Sequence, residues 1–422
     1  MGNISERDKK HIWHPLTQHK IHDTMLAIKK AKGCILTDED GKEYIDGISS
    51  WYTSVYGHCN DYIIEKVYAQ MQQLDQVVFS GFTHEPAVQL SEKLMEILPD
   101  NQQKIFFSDN GSTSTEIGIK MAIQYHFNQG NKRNVLLAFD DAFHGDTFGA
   151  MSVSDLSVYN GSFEEFFITV ERVAPPTKEN IAHTLEQLEK RLIHNDIAGF
   201  IYEPLIQGAA AMQMHDVDGL GEILKLLKKY DVITIADEVM TGFGKTGKYF
   251  ASDYLTEKPN IICMSKALTA GMVPMGATSC TQKIYDAFYS TDIAKGLFHG
   301  HTYTANPLAC ASAIAGIELL QSDEMQQSMK RVIASHQQFN EEVKVHPKVA
   351  RTRQTGTIFA LDLNIKMERY GNLRDQLLKH FMDSGVFLRP LGATIYISAP
   401  YVITDEQLQK IYSSIKAILA KI

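Results

Sequence analysis

Hydrophobic positions in the middle of the chain fall into short unbroken runs, each closed by polar residues. Lys104-Ile105-Phe106-Phe107 leads into Ser108-Asp109-Asn110-Gly111, and Asn134–Phe139 is a second run. Ile197–Tyr202 ends at Glu203-Pro204, Val232–Ala236 at Asp237-Glu238, and Ile261–Met264 at Ser265-Lys266. Runs this continuous suit parallel strands covered on both faces. Between them, apolar residues recur with helical spacing over Glu116–Phe127, Ile181–Leu192 and Leu220–Tyr230. Strand–helix alternation of this kind predicts an α/β sheet. The closing polar residues would then lie along the carboxyl edge, where open α/β sheets bind ligands.

The pattern changes on either side. Cys34–Thr37 and Lys42–Asp46 flank Asp38-Glu39-Asp40-Gly41, which predicts a hairpin. Asn306 is placed to cap a helix that begins at Pro307 and runs to about Leu320. Shorter elements follow, ending in an amphipathic helix near Gln407–Leu419. The expected division is a large domain over residues 51–320, with residues 1–50 and 321–422 packing together as a smaller one.

Composition narrows the classes. With 44% hydrophobic and 22% charged residues the chain is ordinary for a globular protein. Its 422 residues are enough for a core without disulfides or metals. A net charge of -9 argues against nucleic acid as a partner. The five cysteines are odd in number and form no Cys-x-x-Cys pair, as expected of free thiols in a reducing compartment. No stretch approaches the ~18 apolar residues of a membrane span. No apolar run of a secretory signal follows Met1, so a cytoplasmic location away from membranes is expected.

Asp237 and Lys266 each close an apolar strand. Pyridoxal phosphate needs an amine to form a Schiff base and a carboxylate to keep its pyridine nitrogen protonated. A strand-end lysine is partly desolvated, which makes its neutral form accessible. Asp109–Glu116 follows a strand and opens a helix, with Thr113 and Glu116 at capping-box spacing. There Gly111 permits close approach, and the amides of Ser112 and Thr113 offer a phosphate site. In Phe143-His144-Gly145 an aromatic with a small residue after it can stack on a flat heterocycle. His144, His299 and His301 match no zinc spacing, so no metal is expected.

With these elements in this order, the chain resembles the class III, fold-type I aminotransferases over essentially its whole length. Ile235–Gly247 followed by Ser265–Gly271 carries the likeness. Four stretches, Ile12–Gln18, Asp46–Tyr52, His144–Ser152 and Leu388–Gly392, resemble the branch that aminates 8-amino-7-oxononanoate in biotin synthesis. The resemblance implies a large domain with a mostly parallel seven-stranded sheet and a small α+β domain built from both chain ends. It implies pyridoxal 5'-phosphate as cofactor, with Lys266 as the Schiff-base lysine and Asp237 on the pyridine nitrogen. Gly111, Ser112 and Thr113 would hold the phosphate, and Phe143 and His144 would lie at the ring. Trp51, Tyr52 and Gly300 would line the substrate channel, and Arg389 would take the carboxylate of the keto substrate. Thr302 would reach the phosphate of the other subunit, making the enzyme a homodimer with sites at its interface. S-adenosylmethionine is the donor in most of the branch, and lysine is the alternative. Leu16, Lys245 and His301 depart from the residues common there, whereas Met240 argues against ornithine and 4-aminobutyrate aminotransferases. The rival readings are another class III ω-aminotransferase and a non-catalytic phosphate- or nucleotide-binding protein using the Gly111 loop.

Overall fold

The computed structural model describes residues 3–365 and 372–422. Its main sheet has seven strands, in the order Gln102–Ser108, Gly276–Thr281, Ile261–Met264, Ile233–Asp237, Ile197–Tyr202, Val135–Phe139 and Val170–Val173. Gly276–Thr281 runs antiparallel to both neighbours, and the other pairings are parallel. The chain therefore has the α/β, fold-type I architecture expected of it.

Strand period explains the continuous apolar runs, because alternate side chains enter cores on opposite faces. Phe139, Phe200, Tyr202, Ala236, Ile262 and Met264 enter one core, with Leu220, Ile223 and Leu224 of the helix Val217–Lys229. Ala138, Ile201, Ile235, Ile261 and Cys263 enter the other, beneath the helix Gly111–Asn128. At Gly118 of that helix a Cβ would meet Cys263 Sγ at 3.0 Å and Ile235 Cγ2 at 3.2 Å, so only glycine lets it lie this close to the strands.

Two of the seven strands are not visible as apolar runs. Gly276–Thr281 is built from small and polar residues. It is buried because its hydroxyls find partners: Thr278 Oγ1 donates to the Ser114 carbonyl at 2.8 Å, and Ser279 Oγ to Gln102 Oε1 at 2.8 Å. Val170–Val173 is an edge strand, half-buried throughout.

The helix expected from Glu116 begins earlier, at Gly111, and the expected capping pair is not the one formed. Asn110 Oδ1 accepts from the Thr113 amide at 3.0 Å, while Thr113 Oγ1 accepts from the Asn110 amide at 3.1 Å. Asn110 reaches the third amide of the first turn and so takes the cap that Thr113 was expected to provide. Glu116, a turn further in, instead accepts from the amides of Gly149 at 2.7 Å and Ala150 at 3.2 Å. The Asn306 cap forms as expected, accepting from the Leu308 and Ala309 amides.

Both chain ends build one further sheet. The hairpin Ile35–Asp38 and Glu43–Asp46 pairs Leu36 with Tyr44 and is extended by Ile28–Lys32. On its other side Val386–Phe387 runs parallel, setting Phe387 opposite Asp46. A three-stranded sheet, Val349–Thr355, Ile358–Leu363 and Thr394–Ile397, packs with the helices Asp323–Val343 and Asp405–Leu419 around Phe339, Phe359 and Tyr412. Among the described residues no helix is long and apolar enough to cross a membrane.

Candidate active site

Parallel register brings the two principal candidates side by side. Asp237 pairs with Cys263 in the adjacent strand, and Lys266 follows three residues later. Lys266 opens a short 3-10 turn with a left-handed φ of 49°. That conformation is disfavoured by ~1–2 kcal/mol for an L-residue and is retained only where the surroundings impose it. Ser265 supplies part of that constraint, its hydroxyl donating to the Met275 carbonyl at 2.7 Å. Burial lowers the Lys266 pKa, opposed by the charges of Asp237 and Glu203. Among the described residues its amine has no hydrogen-bond or ion-pair partner, and it lies 5.1 Å from the centre of the Tyr52 ring. A buried amine with no internal partner has its nucleophilic, neutral form within reach.

Asp237 is buried and held from two sides. Oδ1 accepts from the Val239 amide at 3.0 Å, and Oδ2 meets His144 Nδ1 at 2.7 Å. His144 is itself fixed by its amide, which donates to Ser154 Oγ at 2.8 Å. Its imidazole thus backs the acid.

Glu203 is a functional candidate that sequence reasoning passed over, although it closes a strand as Asp237 does. Tyr202 pairs with Ala236, so the two carboxylates follow in adjacent strands. Glu203 Oε1 accepts from the Phe143 amide at 3.1 Å, and Oε2 from the Gly208 amide at 2.9 Å. Burial pushes its pKa up to about 7, against the pull of His144. By holding the backbone of Phe143, it fixes an aromatic ring that stays 43% exposed.

The helix start lies against the same edge. A Cβ on Gly111 would meet Val239 Cγ1 at 2.9 Å and Ser265 Cβ at 3.7 Å. Ser112 Oγ accepts from the Asp146 amide at 3.1 Å. Gly145, at φ 132°, passes so close that a Cβ there would lie 2.2 Å from Ser112 Oγ and 2.9 Å from Ser112 Cα. The Thr113 amide is already taken by the Asn110 cap, so the free donors of this turn lie ahead of it.

Trp51 and Tyr52 sit in a turn of unusual backbone. Ser49, Ser50, Trp51 and Tyr52 have φ values of 50°, 45°, 66° and 72°, all left-handed and none glycine. The guanidinium of Arg389 lies 4.3 Å from the centre of the Trp51 ring. Among the described residues it has no carboxylate partner. Its charge lowers the pKa of both Tyr52 and Tyr396, opposing the rise that burial imposes. An uncommitted, stacked guanidinium is well suited to bind a carboxylate.

Gly300 and Thr302 stand apart. They lie in an exposed loop, where the Thr302 carbonyl accepts from Gln76 Nε2 at 2.6 Å. Neither hydrogen-bonds Lys266, Asp237 or Gly111 among the described residues. Among the described residues no group of three His, Cys, Asp or Glu side chains is arranged to hold a metal.

The chain aligns over 98% of its length with the adenosylmethionine-8-amino-7-oxononanoate aminotransferase of Synechococcus elongatus, at 41% identity and covering 99% of that protein. The crystal structure of the enzyme of the same name from Methanocaldococcus jannaschii superposes with a TM-score of 0.92 at 31% identity, covering 98% of each chain. An amine transaminase from an uncultivated Pseudomonas species, solved in its PLP-bound form, gives 0.91 at 27% identity, covering 98% of this chain and 99% of its own. The family model described as aminotransferase class-III matches residues 16–419, and the chain belongs to that family.

Proposed function

We propose that the protein transfers an amino group to 8-amino-7-oxononanoate to give 7,8-diaminononanoate, using pyridoxal 5'-phosphate and S-adenosylmethionine as donor. The observation that carries this reading is that Asp237 and Lys266 lie at the ends of adjacent parallel strands, with the Gly111 helix start against their neighbours Val239 and Ser265. These residues fit the cofactor. A buried amine without an internal partner suits its aldehyde, a buried carboxylate suits its pyridine nitrogen, and a glycine-lined helix N-terminus suits its phosphate.

Lys266 would hold the aldehyde carbon, Phe143 would stack on the ring, and the amides of Gly111 and Ser112 would cradle the phosphate, since that of Thr113 is held by Asn110. When bound, the cofactor supplies an electron sink for the carbon that loses its proton. Asp237, backed by His144, holds a proton on the ring nitrogen and so maintains that sink. Lys266 Nζ carries the proton away from the donor carbon, and later returns one to the acceptor carbon. Arg389 binds the carboxylate of the acceptor, while Trp51 and Tyr52 flank its hydrocarbon chain. The relatives' names support the acceptor and the donor.

The same reading makes the enzyme a cytoplasmic homodimer that binds neither nucleic acid nor membrane. Gly300 and Thr302 would complete the partner's site, and the exposure of Trp13, Phe82, Phe298 and Tyr303 leaves apolar surface for such an interface. The test is to purify the protein with pyridoxal phosphate and follow the diamine by mass spectrometry. Yellow protein that forms 7,8-diaminononanoate with S-adenosylmethionine is the expected result. Turnover with lysine alone overturns the donor, and a colourless protein overturns the reading.

A further inference from the structure

We propose that Asp46 and His58 are positioning residues for acceptor binding: with Ser50 they lock the left-handed turn that holds Trp51 against Arg389. The proposal rests on the reading of Arg389 as the carboxylate site. Asp46 closes the strand Glu43–Asp46 and pairs with Phe387, two residues before Arg389. Because this pair is parallel, both segments leave the sheet on the same side. They remain tied beyond it, since the Gly47 amide donates to the Phe387 carbonyl at 2.9 Å. At Gly47 a Cβ would lie 2.5 Å from Leu388 Cδ2, so the segments run in direct contact.

Next come the four left-handed residues. Nothing intrinsic to Ser49, Ser50, Trp51 or Tyr52 favours that backbone, so tertiary bonds must hold it. Asp46 provides them. Its fully buried carboxylate accepts from the Ile48 amide at 3.1 Å, from Ser50 Oγ at 3.0 Å and from His58 Nε2 at 2.8 Å. His58 is anchored in turn by its backbone, which exchanges hydrogen bonds with Gly33 at 2.7 and 3.0 Å. Ser49 Oγ closes the other side on the Ser398 carbonyl at 2.7 Å. Among the described residues Asp46, Ser50 and His58 make no hydrogen bond to Lys266 or Asp237, and the chemistry proposed above does not use them. If the imidazole is lost, a buried carboxylate loses one of three donors and the turn can relax, carrying Trp51 off the guanidinium.

The experiment uses the holoenzyme in a Trp13→Phe background, where Trp51 is the one tryptophan left of two. His58→Ala is expected to raise the KM for 8-amino-7-oxononanoate by about tenfold. It should leave the half-reaction with the amino donor within about twofold. It should also increase quenching of Trp51 fluorescence by acrylamide. His58→Gln, which keeps an N–H donor, should restore both readouts. Ser50→Ala should shift both in the same direction by less, and it replaces His58→Ala should that variant not fold. Unchanged Trp51 quenching overturns the proposal, as does equal loss in the donor and acceptor half-reactions. If the wild type does not aminate 8-amino-7-oxononanoate, the functional reading fails, while the quenching readout still decides whether Asp46 and His58 hold the turn.

Discussion

Lys245 is 1% exposed, and among the described residues its amine reaches only the Gly242 carbonyl, at 3.5 Å. Burial and the like charge of Lys266 push its pKa down to about 7, against the pull of Glu238. In the unfolded chain the amine titrates near ~10.4. Above that pH neither state is charged there and folding carries no penalty. As pH falls towards 7 the unfolded chain binds a proton that the folded chain does not, so stability declines. Below about 7 the loss is complete. Lys245→Met should therefore raise the Tm by a few degrees at pH 6, given ~2–4 °C per kcal/mol for chains of a few hundred residues. The gain should shrink towards zero by pH 10, and a gain independent of pH would show that no buried amine was relieved. Asp237→Asn tests the neighbouring acid. The amide keeps the shape and can still accept from Val239, but it carries no charge to hold a proton on the ring nitrogen. A fall in kcat of ~10²–10⁴-fold with cofactor still bound is expected from single-turnover rates, and a loss under about tenfold would remove Asp237 from that role.

At the scale of elements, the site depends on how strand ends and one helix start are brought together. The strand ends were legible because buried parallel strands must be continuous apolar runs, and the break to Asp237-Glu238 or Ser265-Lys266 marks the edge of the sheet. Other features were hidden for definite reasons. Gly276–Thr281 is buried through hydroxyl pairing, so no apolar run announces it. The left-handed turn at Ser49–Tyr52 contains none of the glycines that usually mark such backbone. Glu203 was visible as a strand end, but its grip on the Phe143 amide depends on a contact 60 residues away in sequence. The start of the Gly111 helix shows how tightly these elements meet. At Gly145 a Cβ would strike the backbone of Ser112 as well as its hydroxyl, at a φ that disfavours any side chain. Gly145→Ala should displace the first turn of the Gly111 helix and weaken cofactor binding by at least about tenfold, read by fluorescence titration of apoenzyme. Unchanged affinity would mean that this turn does not hold the phosphate.

At the scale of the molecule, the chain returns to its own beginning, since Val386–Phe387 joins the sheet started by residues 28–46. That return sets Arg389 beside Trp51 at the edge of the site. Gly300 and Thr302 take no part in it: they lie on an exposed loop and, among the described residues, make no hydrogen bond to Lys266. On the reading proposed above this loop serves a second copy, and closed twofold symmetry would complete both sites at once. Complementation decides this. Lys266→Ala dimers should be inactive, and Thr302→Val dimers should be weakened through the phosphate. In a heterodimer of the two variants, one site takes Lys266 from the Thr302→Val chain and Thr302 from the Lys266→Ala chain, both intact. The other site carries both lesions. If subunits exchange at random, half of the dimers are mixed and each has one sound site, so activity should recover to roughly a quarter of wild type. If Thr302 instead serves the site of its own chain, mixing cannot create a sound site, and activity should stay at the Thr302→Val residue, diluted by the inactive chains. Recovery upon mixing therefore distinguishes a shared site from a self-contained one without requiring the dimer to be dissociated during assay.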